Sequence, residues 1–364
     1  MEYRVNRRTG DEISMIGLGT SYIAESDEKT AVEALAYAYE HGINYADLAT
    51  AGAKTFSYYA SALGSVRKKM HYQVHFGANY ETGEYGWTTK IETVKRQIDW
   101  QLQTLKTDYI DYGFIHCLDE DGDWKAYQEN GVLQFLLDMK KRKVVQHIGF
   151  STHTPSLAHR VLDTGLVDQL MFSINPGYDY QHGDYANGST DERMALYRRC
   201  EMEGVGISVM KPFSAGQLLN AKTSPFGREL SQYQCIQYAL DKPGVLTVLP
   251  GIRNVEDVKH LLGFFDAPKE ERDYSALGSY APADMAGTCV YCNHCQPCPA
   301  GLNVGLINKY YDLAKAGDTM AAAHYQNMEL HADSCIQCGH CESRCPFHVK
   351  QMARMEEINS FFAS

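Results

Sequence analysis

Eight short apolar runs, each followed by a longer amphipathic one, predict an α/β chain whose residues 1–275 close into a (β/α)8 TIM barrel. The cysteines are the second observation. Of the 11, eight fall between Cys289 and Cys345, which marks 276–364 as a smaller, mainly helical domain. Length is the third, since 364 residues exceed one average domain and fall short of three.

The elements follow in order. Residues 3–7 and 12–14 flank Thr9-Gly10-Asp11 and read as a hairpin. The strands are expected at 15–20, 43–47, 72–77, 110–116, 144–151, 169–175, 205–210 and 246–250. Helices are expected between them, among others at 28–41, 90–105 and 192–203. In the first, Ala31, Leu35, Ala38 and Tyr39 recur at helical spacing. Thr88 and Thr89 offer an N-cap to the second, with Glu92 in reach of a capping box. A 16-residue loop, 176–191, follows the sixth strand and carries Tyr178, Tyr180, His182, Asp184 and Tyr185. It reads either as a lid over the site or as a solvated excursion. In the tail, 303–316 and 319–331 read as helices joined at Gly317-Asp318, and 267–287, with Pro268 and Pro282, reads as the linker.

The cysteines have the spacing Cys289-x2-Cys292-x2-Cys295-x2-Cys298-Pro299 and Cys335-x2-Cys338-x2-Cys341-x3-Cys345-Pro346. Three thiolates two residues apart wrap one corner of a cubane cluster, and the fourth, before Pro, reaches the other cluster. The tail is therefore expected to be ferredoxin-like with two [4Fe–4S] clusters. One would be held by Cys289, Cys292, Cys295 and Cys345, the other by Cys335, Cys338, Cys341 and Cys298. Zinc knuckles favour two CxxC pairs rather than such triplets. A disulfide framework suits a short secreted chain, and the polar start at Met1-Glu2 resembles no targeting segment.

The remaining Cys117, Cys200 and Cys235 are scattered, as in a reduced cytoplasmic protein. Net charge is −11 with Lys and Arg dispersed, which argues against nucleic acid. No apolar run approaches the length of a membrane span.

In a barrel, chemistry belongs at the C-terminal strand ends. Those ends carry Gly19-Thr20, Asp47, Gly77-Ala78, His116-Cys117, Ser151-Thr152-His153, Asn175, Lys211-Pro212 and Gly251. With them come Ile16-Gly17-Leu18-Gly19-Thr20, Gly42-Ile43-Asn44-Tyr45-Ala46-Asp47, Asp108-Tyr109-Ile110-Asp111-Tyr112, Ile148-Gly149-Phe150-Ser151, Val209-Met210-Lys211-Pro212 and Val248-Leu249-Pro250-Gly251. In this shared order the chain resembles the aldo/keto reductase family, in its bacterial branch with a C-terminal two-cluster domain. The resemblance implies a catalytic tetrad in which a Lys paired with an Asp tunes a proton-donating Tyr and a His orients the carbonyl. Asp47 and His116 match the Asp and the His. The Tyr falls on Gly52 and the Lys on Gly77 or Ala78. Tyr58, Tyr59 and Tyr80 are candidate replacement acids. His75 could face either into the barrel or toward the helices, with a packed core role expected, and Asp47 needs another donor beside it.

The resemblance also implies a nicotinamide groove, NAD(P)H, at Gly19, Thr20, Ser151, Asn175, Lys211, Ser214, Gly216, Gly251 and Arg253. Glu256 and Asp257 stand where a 2′-phosphate would want a cation, and the family's stacking Gln appears as Met171. Trp87 and Trp124, on loops, could line the mouth. Residues 119–121 read as a solvated acidic turn and Cys117 as a small core residue. The expectation is an iron–sulfur oxidoreductase acting on a small polar carbonyl or hydroxyl compound, with a ferredoxin or flavodoxin as electron donor. A lyase or isomerase using Asp47 and His116, and a non-catalytic electron-transfer subunit, stay open.

Overall fold

The hairpin is set by one asparagine. In the computed structural model, which describes residues 1–280, 286–292, 294–315, 317–345 and 347–363, β1 (Tyr3–Val5) pairs antiparallel with β2 (Glu12–Ser14). The first arm stops at Val5 rather than at residue 7, because the Asn6 carbonyl accepts the N–H groups of Thr9 and Gly10. Gly10, at φ +81°, supplies the left-handed turn residue.

In chain order α1 (Glu28–Glu40), β3 (Tyr45–Asp47), α2 (Lys54–Leu63), β4 (His71–Phe76), β5 (Ala78–Asn79), β6 (Gly86–Trp87), α3 (Ile91–Leu105), β7 (Ile110–Ile115), α4 (Asp121–Glu129), α5 (Val132–Lys141), β8 (Val145–Thr152), α6 (Pro155–Leu162) and β9 (Gln169–Ser173) follow. Next come α7 (Pro176–Asp179), α8 (Thr190–Glu203), β10 (Gly206–Met210), α9 (Gln232–Leu240), β11 (Val245–Val248) and α10 (Val255–Leu262). Strands β3, β4, β7, β8, β9, β10 and β11 neighbour one another in that order, parallel from β3 to β10. The eighth position is thinner than expected. In place of a strand over 15–20, single parallel bridges join Ile16 to Val248, Leu18 to Ala46 and Gly19 to Gly251. They close the ring between β11 and β3. A Cβ on Gly19 would lie 2.6 Å from the Leu249 carbonyl, so this segment fits only without side chains there. Ile13, Tyr45, Tyr112, Phe114, Met171, Leu246 and Leu249 fill the interior.

Two expectations fail locally. The N-cap of α3 is Lys90, without a side-chain bond. Thr88 instead accepts the Lys90 N–H one turn earlier, and Thr89 accepts from Asn130, so neither is free to cap. The segment 176–191 is not one loop. Asn175 caps α7 with its side chain, residues 176–180 are buried, and α8 already begins at Thr190.

The chain divides into two compact units: Met1–Ile174, Gly204–Phe213 and Leu246–Ala267 in the first, and Asn175–Glu203, Ser214–Val245 and Pro268–Ser364 in the second. In the second, α11 (Lys269–Arg272), α12 (Val304–Lys315), α13 (Thr319–Gln326), α14 (His340–Arg344) and α15 (Gln351–Ala363) form the tail. Its core joins Leu302, Val304, Ile307, Tyr311, Tyr325 and Ile358. Helix α13 ends five residues before His331, because the chain turns back there and His331 bonds the Tyr325 carbonyl. Of the segments expected above, Pro282 of the linker, Ala316 of the first tail helix and Pro346 after Cys345 lie outside the described residues. No helix among the described residues is long and apolar enough to cross a membrane.

Candidate active site and cluster-binding site

Strand periodicity aims every second β4 residue inward, so Gln73 and His75 both face the end of β3. Asp47 is 5% exposed, and three donors converge on its Oδ1. Gln73 Nε2 lies at 3.0 Å, His75 Nε2 at 2.7 Å and the Ala49 N–H at 3.3 Å. Gln73 is oriented from below, where its Oε1 accepts from Tyr45 (2.6 Å) and Ser208 (3.0 Å). His75 Nδ1 meets His116 Nδ1 at 2.8 Å, and His116 Nε2 meets the Tyr85 hydroxyl at 2.5 Å.

The proton positions follow from the carboxylate. Asp47 only accepts, so His75 donates from Nε2 and accepts at Nδ1. His116 then donates from Nδ1 and accepts at Nε2, and Tyr85 donates to it. Burial first, and His75 next, push His116 well below the ordinary histidine range, which keeps it the neutral acceptor this order needs. Its carbonyl accepts from Tyr127 (2.6 Å) and Trp87 (3.3 Å).

His75 therefore faces the barrel, but as the link between Asp47 and His116 rather than as a passive core residue. None of the three candidate tyrosines is the phenol bonded to His116. Tyr80 bonds both Thr50 main-chain groups and Tyr58 the Ser26 carbonyl, while Tyr59 is fully buried. Tyr85, missed from the sequence, sits between β5 and β6 on a loop bonded to the stretch around Gly52. Ala53 donates to Gly83, Tyr85 donates to Ala51, and Gly52 bridges Glu84. The turn at Glu81-Thr82-Gly83 between two tyrosines was the available signal. Of the two positions expected for the family's Lys, Gly77 or Ala78, the first is closed to a side chain: Gly77 has φ +124°, and a Cβ there would lie 2.2 Å from the Tyr127 hydroxyl.

A second polar group lies beside the first. Burial pushes the Asp119 carboxyl up, yet its His153 bonds outweigh that and hold it at about 2. Asp119 is thus a half-buried partner of His153 (2.9 Å), not a solvated turn residue. Cys117 is half-buried too, at φ +54°, with its thiol on Asp119 and pushed up to about 12 by burial first and Asp119 next. Trp124 belongs to α4 rather than a loop, whereas Trp87 is exposed. Lys211 takes a left-handed φ of +53°, and burial lowers its pKa against the pull of Cys117, Asp119 and Asp47.

The expected groove residues fall in both units. In the first, Thr20 is buried, Gly19 bridges Gly251, and Ser151 accepts the Cys117 N–H. Arg253 stacks on Tyr22 (4.2 Å), pairs with Glu25 (3.0 Å) and gives its N–H to Asp257. Met171 accepts from Gln73 through sulfur, inside the barrel. In the second unit, Asn175 is a helix cap, Ser214 bonds Gln217, and Gly216 turns at φ +88°.

Also in the second unit, Cys289, Cys292, Cys295 and Cys345 line one small cavity with Phe347 and Gln351. Burial and Cys292 push the Cys289 thiol to about 12, and burial pushes Cys292 to about 11, with Cys345 adding to it. Thiols held this high ionise only against a cation, as iron provides. Cys341 is raised by burial and by Cys335 and Cys298, which pack with it on the tail core. Among the described residues no three His, Cys, Asp or Glu side chains converge on one ion. Thiols spread around a cavity suit a cube with several iron corners better than a single ion.

Residues 15–234 match the Aldo/keto reductase family and residues 285–349 match a 4Fe-4S dicluster domain. The chain is similar to the aldo-keto reductase AKR11C1 from Bacillus halodurans in its holo form, at 20% identity over 75% of this chain and 94% of that one, with a TM-score of 0.61. It is also similar to an aldo/keto reductase from Klebsiella pneumoniae in complex with NADP and acetate, at 18% identity over 74% and 93%, with a TM-score of 0.53. At these identities the likenesses establish the fold. No curated protein matches the chain.

Proposed function

The chain belongs to the aldo/keto reductase family, an oxidoreductase fold joined here to a domain for two [4Fe–4S] clusters, and from that premise we propose that it interconverts a small polar carbonyl and its alcohol, with Tyr85 as the acid. One observation carries this reading: the unbroken line Asp47–His75–His116–Tyr85. As the carbonyl oxygen gains negative charge, Tyr85 gives it a proton. The phenolate left on Tyr85, which is 43% exposed, takes its proton back from solvent, while His116, held at Nδ1 by His75 and through it by Asp47, keeps Nε2 aimed at the Tyr85 oxygen. This chain positions the acid where the family uses its Lys–Tyr pair. A nicotinamide, when bound, supplies the hydride, and the clusters, when bound, each carry one electron.

Gly19, Gly251 and Arg253 would hold the nicotinamide within the first unit, and the NADP of the Klebsiella structure supports such a ligand. Arg253 is already paired with Glu25, and Glu256 and Asp257 follow it, which favours NADH over the 2′-phosphorylated form. Cysteines 289, 292, 295 and 345 would hold one cluster, and 335, 338, 341 and 298 the other. Functionally 1–275 is the reductase part and 276–364 the electron-carrying part, working in the cytoplasm with a ferredoxin or flavodoxin donor.

The test is anaerobic turnover of an aldehyde and sugar panel by the wild type, Tyr85→Phe and His116→Ala. Both substitutions should cost roughly 10²–10⁴-fold in rate, with Kd for NADH little changed. Full activity in Tyr85→Phe would sink the acid assignment. Turnover without nucleotide would favour the lyase, and no nucleotide binding the electron-transfer subunit.

A further inference from the structure

Two buried donors near the first cluster cavity have no hydrogen-bond acceptor among the described residues. Tyr180 is 1% exposed and Lys242 is 0% exposed, and neither the Tyr180 hydroxyl nor the Lys242 ammonium has a hydrogen-bond partner among the described residues. Leaving such groups unsatisfied is costly, so each calls for an acceptor that the described residues do not supply. Both lie close to that cavity, just outside its immediate lining. The Tyr180 ring contacts Phe347 (centroids 6.3 Å apart), and Phe347 lines the cavity with Cys289, Cys292, Cys295 and Cys345. Tyr180 also contacts Tyr238, whose ring lies 3.7 Å from Lys242 Nζ. Cys292 is within electrostatic reach of both side chains. All of these residues belong to the second unit.

We propose that Tyr180 and Lys242 donate hydrogen bonds to the sulfur atoms of the cluster held by Cys289, Cys292, Cys295 and Cys345, and so raise its reduction potential above that of the other cluster. Hydrogen bonds to sulfur and nearby positive charge both stabilise the reduced, more negative cluster. The second cluster's Cys338 is exposed, whereas Cys295 of the first is buried. The electron would then enter at the exposed cluster and settle on the inner one. Both donors lie outside residues 285–349 that match the dicluster domain, so the rest of the chain sets the poise of its own cluster. The inference rests on the two-cluster assignment and not on the barrel chemistry.

The test is an EPR-monitored redox titration of the anaerobic full chain, with iron content measured in each sample. Tyr180→Phe and Lys242→Met should each lower the reduction equilibrium constant of one cluster by about tenfold or more, a fall of about 59 mV for one electron. The other cluster should not move, and Lys242→Arg should stay near the wild type. Unchanged potentials in iron-replete Tyr180→Phe and Lys242→Met would overturn the proposal. Should Lys242→Met lose the first cluster, Lys242→Arg decides: both clusters retained at the wild-type potential supports the donor role, and iron loss there too would overturn the Lys242 assignment.

Discussion

A carboxylate with almost no exposure keeps its place only if donors converge on it, and around Asp47 they come from three chain positions. That convergence fixes the protonation order out to Tyr85, which is 43% exposed and so links the buried end to the surface. The neutral state of His116 has a consequence for stability. Its folded pKa is depressed, by burial first and by His75 next, while the unfolded chain takes up a proton near 6.5. Above that pH the group contributes no slope. Below it the unfolded state binds more protons, so stability falls with pH by about 1.4 kcal/mol per unit until the folded pKa is reached. Denaturant titrations of the wild type and His116→Asn between about pH 5 and 8 should therefore diverge below 6.5, with the variant's curve flatter. Parallel curves would show that His116 is charged in the folded chain.

At the scale of elements, the surroundings of His116 depend on the β4–β5 connection. The chain leaves β4 through Gly77 at φ +124°, and the Tyr127 hydroxyl fills the space a side chain would need. Gly77→Ala should cost roughly 1–3 kcal/mol in thermal denaturation. Pairing it with Tyr127→Phe should recover only part, because the clash goes and the backbone strain stays. Full recovery would mean that the conformation itself costs nothing. This neighbourhood also marks where the sequence stops being readable. Strands β4, β7, β8 and β10 announced themselves through apolar runs, and Asp47 and His116 through strand ends. The link between them did not, since His75 depends on strand parity and Tyr85 on a loop bonded to residues 51–53. Both are tertiary facts. The segment 15–20 has the pattern of a strand but is held by single bridges, because its neighbours approach too closely at Gly19. Asp119 looked solvated beside Glu120 and Asp121, and only the fold brings His153 against it.

For the whole molecule, the oxidoreductase fold and the dicluster domain need different kinds of support. The barrel carries a continuous polar column, from Asn6 through Gln169, Tyr45 and Gln73 to Asp47, inside a large apolar core. The tail has a smaller core in which cysteines are structural neighbours of Leu302, Ile307 and Tyr325. Much of its cohesion is therefore expected from the iron, since metal binding free energy in small domains is also folding free energy. Cys298 tests both the wiring and this dependence. It follows the first triplet in sequence yet packs with Cys335 and Cys341 on the tail core. Cys298→Ser should lower bound iron from about eight to about four, with the loss in the cluster of Cys335, Cys338 and Cys341. Hydrogen exchange should rise in α13, α14 and the start of α15, next to the damaged cluster, while β7 and β8 of the barrel keep their protection. Loss of the Cys289 cluster with the other intact would mean that each triplet keeps its own trailing cysteine. The crossed arrangement would then give way to two independent loops, and the electron path inferred from the cluster exposures would have to be redrawn.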